Sequence, residues 1–133
     1  MKGICLFFFF LVAFNRRADH IIGGDIYDDD VGGGNYKFYI TIYRDCNAEG
    51  AWFDDPLKLA VYNNNNLMQN VDIFFPGYIT LPIDFNNPCA TAPTDVCVQR
   101  AIYEKTLNLP PVAGGYTVSY QRCCRGPNVM NIV

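Results

Sequence analysis

Tyr36-Lys37-Phe38-Tyr39-Ile40-Thr41-Ile42-Tyr43 decides the fold. Successive side chains of a strand point to opposite sides, so Tyr36, Phe38, Ile40 and Ile42 share one face and Lys37, Tyr39, Thr41 and Tyr43 the other. The first face is apolar and suits a core. The second is rich in tyrosine and suits the outer surface of a sheet.

Upstream, Ile21 to Tyr27 reads as a short strand, and Asp28-Asp29-Asp30-Val31-Gly32-Gly33-Gly34-Asn35 as a hairpin connection by composition. Downstream, Leu57 to Tyr62 and Leu67 to Phe75 flank Asn63-Asn64-Asn65-Asn66, which asparagine's tolerance of left-handed backbone makes a turn. Phe75-Pro76-Gly77-Tyr78 and the stretch from Leu81 to Pro93 break pairing and read as a long loop. Val96 to Leu107 is extended again, and Pro110-Pro111 ends it. Gly114-Gly115 leads into Tyr116, Val118 and Tyr120 on one face of a further strand, and Val129 to Val133 reads as a short last one. No segment carries a helical period. The expected fold is all-β: an immunoglobulin-like antiparallel β-sandwich of about six to seven strands, disulfide-stapled, in one domain over residues 19–133.

Residues 1–18 read as a signal peptide. Met1-Lys2 is a short positive region, and Ile4 to Phe14 is a continuous apolar run well short of the ~20 residues that span a bilayer. Cleavage is expected after Ala18. Cys5 precedes the apolar run, where a lipid-anchored cysteine would follow it. The expected location is therefore secreted or at a bacterial cell surface, with no transmembrane span in the mature chain. Lys2, Arg16 and Arg17 leave with the leader, so seven basic residues face thirteen acidic ones, a net charge of −6. A phosphate backbone needs clustered Lys and Arg, so nucleic acid is not an expected partner.

Five cysteines follow the leader, and export favours disulfides. Cys46 shares the register parity of Phe38 and Ile40, and Cys124 that of Val118 and Tyr120, which favours a Cys46–Cys124 bridge. Cys89 and Cys97 flank a proline-containing loop and form the natural local pair. The long bridge would contribute ~4 kcal/mol on the chain-entropy account. Cys123 is left over, as a buried thiol, a vicinal partner of Cys124 or an intermolecular crosslink, with the buried thiol favoured.

His20 is the only histidine and lies beside the new N-terminus, so a His-dependent catalytic arrangement is not expected and the chain reads as a non-enzyme. The cysteine spacings lack zinc knuckles. Asp25, Asp28, Asp29 and Asp30 on a hairpin loop could offer carboxylates to calcium, the one cofactor considered, although aspartates in turns are usually just solvated. Tyr39 and Tyr43, with Trp52 and Tyr62 nearby, could form an aromatic face for a glycan or a protein; the stronger alternative is ordinary cross-strand covering. Arg44-Asp45 reads as an ion-paired corner, with Arg122 and Arg125 reaching backbone carbonyls or Asp45.

Ala18-Asp19-His20-Ile21-Ile22-Gly23-Gly24-Asp25-Ile26-Tyr27, Tyr36-Lys37-Phe38, Ile42-Tyr43-Arg44-Asp45-Cys46, Phe53-Asp54, Gly114-Gly115-Tyr116 and Tyr120-Gln121-Arg122-Cys123-Cys124-Arg125 resemble the N-terminal domain of large Bacteroidetes surface proteins that carry gliding-motility-associated C-terminal domains. Such proteins look like substrates of the type IX secretion route. The resemblance covers nearly the whole mature chain and implies a domain that opens a longer run of immunoglobulin-like or PKD-like modules ending in a sorting domain. Measured against that pattern, the domain is expected to be truncated at its C-terminus.

The function expected is that of a non-catalytic structural or adhesive module of a bacterial cell-surface protein, linked to gliding or adhesion. Its partners would be other β modules of the same protein, neighbouring subunits or surface glycans. Two alternatives are a pilin-like filament subunit that assembles by strand exchange and an extracellular carbohydrate-binding module.

Overall fold

The computed structural model describes residues 21–48, 50–83 and 95–122. Seven strands follow in order: β1 (Ile21–Gly32), β2 (Asn35–Asp45), β3 (Leu57–Asn63), β4 (Asn66–Ile73), β5 (Ile79–Thr80), β6 (Val98–Asn108) and β7 (Thr117–Tyr120). They form two antiparallel sheets, a four-stranded one in the order β1-β2-β6-β5 and a three-stranded one in the order β4-β3-β7. The immunoglobulin-like sandwich expected from alternation is the fold observed. Among the described residues, no helix is long and apolar enough to cross a membrane.

Between the sheets, Phe38, Ile40 and Ile42 of β2 meet Leu57, Leu59 and Val61 of β3, with Ala101, Tyr103 and Leu107 of β6, and Phe53, Ile73 and Leu109 closing the ends. Each fully buried aliphatic side chain contributes about 1.5–3 kcal/mol relative to exposure. The inward row on β2 is the one the alternation selected. Its outward row, Lys37, Tyr39 and Tyr43, remains partly exposed.

Two tight turns set the hairpin registers. Gly32 and Asn35 pair across Gly33-Gly34, whose φ values of 63° and 76° suit a two-residue connection whose central residues both lie left-handed. This compact turn lets β1 run to Gly32, five residues beyond the expected Tyr27. Asp28, Asp29 and Asp30 therefore lie in the ladder opposite Phe38, Lys37 and Tyr36, not in a loop. The second turn matches its expectation: Asn63 and Asn66 pair across Asn64 and Asn65, at φ 47° and 65°.

The disulfide pairing differs from the parity argument. Cys46 is bonded to Cys97, with Cα atoms 5.3 Å apart. The β2–β6 register runs without a break from Asn35↔Asn108 to Asp45↔Val98, and the next step places the two cysteines opposite each other, joined also by Cys46 N donating to Cys97 O at 3.1 Å. Parity compared β2 with β7, but β7 pairs with β3 in the other sheet. Cys97 is thus taken by Cys46, so neither the Cys46–Cys124 nor the Cys89–Cys97 bridge forms. Cys89, Cys123, Cys124, the leader, His20 and the strand expected at Val129 to Val133 lie outside the described residues.

Where the chain passes from β6 to β7 it changes sheet, and Tyr116 holds the crossing: its hydroxyl donates to the Pro110 carbonyl at 2.9 Å. A tyrosine at this corner, bonded a few residues upstream, is a hallmark of immunoglobulin-like sandwiches. The Asn63–Asn64 turn grips the same crossing. Asn63 Nδ2 donates to Ala113 O at 3.0 Å and to Gly115 O at 2.6 Å.

Candidate functional site

One end of the sandwich is closed by a polar and aromatic plug around Asp54. Tyr103 of β6 donates its hydroxyl to the Asp54 carbonyl at 2.7 Å, while Tyr120 of β7 donates to the Asp54 carboxylate at 2.5 Å. Arg122 pairs with the same carboxylate at 3.4 Å and donates to Trp52 O at 2.8 Å. Burial pushes the Tyr103 phenol up to about 12, reinforced by the Asp54 and Asp55 charges. Burial and the hydrogen bond to Asp54 also hold the Tyr120 phenol well above the ordinary tyrosine value. These phenols stay protonated at neutral pH and act as donors.

Arg44 lies at the inner end of β2, buried, and donates to Gln99 Oε1 at 3.0 Å and to Ala48 O at 3.3 Å. Trp52 covers its guanidinium at 4.7 Å from the ring centroid. Arg44 therefore does not form the expected ion pair with Asp45, whose carboxylate instead accepts from Asn47 N at 2.9 Å. Phe53, Phe75 and Tyr78 stack behind the plug, and Tyr78 meets Trp52 edge-on with centroids 5.4 Å apart.

The aromatic face expected from Tyr39, Tyr43, Trp52 and Tyr62 does not assemble. Tyr39 and Tyr43 point outward from the four-stranded sheet, and Tyr62 outward from the opposite one. Tyr39 is stacked on Tyr27, its cross-strand partner, with centroids 4.7 Å apart, and Lys37 lies over its ring. Trp52 belongs to the plug.

The calcium ligands expected on a loop do not converge either. Asp25, Asp28, Asp29 and Asp30 lie on β1 and alternate between its two faces, so no turn gathers their oxygens. Among the described residues, no group of three or more His, Cys, Asp or Glu could hold a metal ion.

The candidate site is a feature that sequence patterning did not single out, a seam between β1 and β7 that is open among the described residues. Each is the edge strand of its sheet, β1 paired only with β2 and β7 only with β3 among the described residues. Two clefts lie end to end between them and share Ile26. The larger, about 510 Å³, is walled by Ile26, Phe38, Leu109, Tyr116 and Val118, with Asp28 on its β1 side. The smaller, about 330 Å³, continues past Gly24, Ile40 and Ile42 to Tyr120 and Arg122. Ile26 pairs with Ile40 and Asp28 with Phe38, so both β1 side chains stand on the inward side of the sheet. Core residues of β2 thus form the floor of the seam, and two strand edges form its walls.

The only sequence signals for this site are Val118 and Tyr120 on one face of β7 and the aspartates of β1; their meeting depends on how the sheets stack. Searches against family models, curated proteins and solved structures match none of them to this chain.

Proposed function

We propose that this chain is a non-catalytic, exported β-sandwich module of a bacterial cell-surface protein with a structural or adhesive role. The observation that carries this reading is the Cys46–Cys97 bridge, which closes the end of the β2–β6 ladder. Disulfides of this kind form and persist in oxidising, extracytoplasmic compartments. The buried polar groups fit the same role, since Arg44, Tyr103, Tyr120 and Arg122 are committed to internal hydrogen bonds. The resemblance of the Tyr-Arg-Asp-Cys and Arg-Cys-Cys-Arg blocks to gliding-associated surface proteins supports the placement in a larger assembly.

The test is expression of the full chain with its leader in a Bacteroidetes host, followed by fractionation and non-reducing peptide mapping. Recovery outside the cytoplasm with the Cys46–Cys97 peptide pair intact is expected. Cytoplasmic retention with both thiols free would overturn the reading.

The open seam favours a second reading, in which the sandwich is a subunit completed by a strand from another polypeptide, as in filaments that assemble by strand exchange. Exposed sheet edges beside an apolar floor are the geometry that β-strand addition uses. Complexes that persist without reductant and dissociate on competition with a strand peptide would support it.

A further inference from the structure

We propose that the β1/β7 seam accepts an extended partner segment with apolar side chains at alternate positions and a Lys or Arg placed opposite Asp28. This deepens the strand-addition reading and rests on it.

Three observations converge. The seam is long enough for a strand, since its two clefts run from Tyr116 and Asp28 at one end to Arg122 and Gly23 at the other. Its floor is the inward row of β2, Phe38, Ile40 and Ile42, so an incoming strand would bury every second side chain against core residues. Its charge is one-sided. Asp28 stands inward on the β1 side, whereas Arg122 at the far end is already paired with Asp54.

Asp28 specifies the partner's chemistry. Its side chain is inward-facing, and among the described residues it makes neither a hydrogen bond nor an ion pair. Asp28 is exposed, and a strand that fills the cleft would strip its hydration. Burying a carboxylate without a compensating donor is strongly unfavourable, so the occupant must bring a cation to that register position. An inward-facing charge on an edge strand also discourages unselective pairing. A second copy of the mature chain, with net charge −6, offers the wrong sign.

The experiment uses the full, disulfide-bonded chain and three labelled peptides, read by fluorescence anisotropy at low and high salt. The first peptide alternates Val or Ile with Lys and Thr. The second carries Glu in place of Lys. The third is the Lys peptide N-methylated along one edge, which removes the strand's hydrogen-bond donors there.

The Lys peptide is expected to bind about tenfold tighter than the Glu peptide, because filling the cleft sets Asp28 beside a cation in the first case and beside a like charge in the second. High salt should narrow that gap. N-methylation should abolish binding, and Asp28→Asn should bring the two unmethylated peptides within about twofold while keeping the fold. Equal affinity of the Lys and Glu peptides would overturn the charge match while leaving strand addition standing. Binding indifferent to N-methylation, or no binding by any peptide, would overturn strand addition itself. Protection in the free monomer of those Thr117–Tyr120 amides that do not donate to β3 would identify the chain's own residues as the occupant and overturn the partner. Protection that appears only with dimerisation would identify a second copy and do the same.

Discussion

Tyr103 and Tyr120 stand on different sheets, yet both donate their hydroxyls to Asp54, one to its backbone carbonyl and the other to its carboxylate. Asp54 is therefore the point at which the two layers are tied by hydrogen bonds as well as by packing. Arg122 adds a charge to the same carboxylate.

Removing the carboxylate leaves the Tyr120 hydroxyl and the Arg122 guanidinium without their acceptor. Asp54→Ala is expected to cost about 1–3 kcal/mol, and Tyr120→Phe about 1 kcal/mol. The double variant should lose less than the sum, because each single change already breaks the shared bond. Urea unfolding of the set measures this.

Alkaline pH should dissolve the same knot. Both phenols have folded-state values raised above the unfolded value near 10, that of Tyr103 to about 12. The stability they contribute is fully present below pH 10 and declines as the pH climbs through the folded-state values. Tyrosinate absorbance should show a late fraction from Tyr103 and Tyr120, appearing together with loss of structure. Tyr103→Phe and Tyr120→Phe should each remove part of that fraction.

Reduction of the Cys46–Cys97 bridge opens a loop closed over a sequence separation of 51. On the chain-entropy account its loss costs about 4 kcal/mol. Cys46→Ser, Cys97→Ser and the double variant should all show this cost. A non-reducing digest of the parent should contain one crosslinked peptide joining residues 46 and 97.

A side chain at Gly114 would be strained and would push the Asn64 side chain aside. The glycine's φ is 86°, and a Cβ there would sit 2.2 Å from Asn64 Oδ1. Gly114→Ala should destabilise by at least about 1 kcal/mol through left-handed strain alone. Removing the colliding side chain with Asn64→Gly should recover only part of the loss, because the backbone strain remains. Thermal unfolding of both variants and their combination separates the two contributions.

Alternation made the sandwich legible, since Phe38, Ile40 and Ile42 could face only one way and the asparagine run could only turn. The extent of β1 was harder to read, because three aspartates suggest a loop until Gly33-Gly34 is seen to close the hairpin in two residues. The disulfide was hidden for a different reason. Parity says which side of a strand a cysteine occupies, and the partner follows from which strand lies alongside. Only the β2–β6 ladder places Cys97 opposite Cys46. The seam was invisible because its walls, β1 and β7, meet across the stacked sheets and not along the chain.

The bridge also has a mechanical consequence. Residues 46 and 97 bracket β3, β4 and β5, so a force pulling on the two ends of the molecule reaches the bond without passing through those strands. At about 3.3–3.6 Å per extended residue, roughly 170–180 Å of polypeptide is withheld from stretching while the sulfurs remain joined. Under load, such a domain lengthens only by releasing the chain outside the bracket, and the enclosed strands act as a knot that tension does not untie.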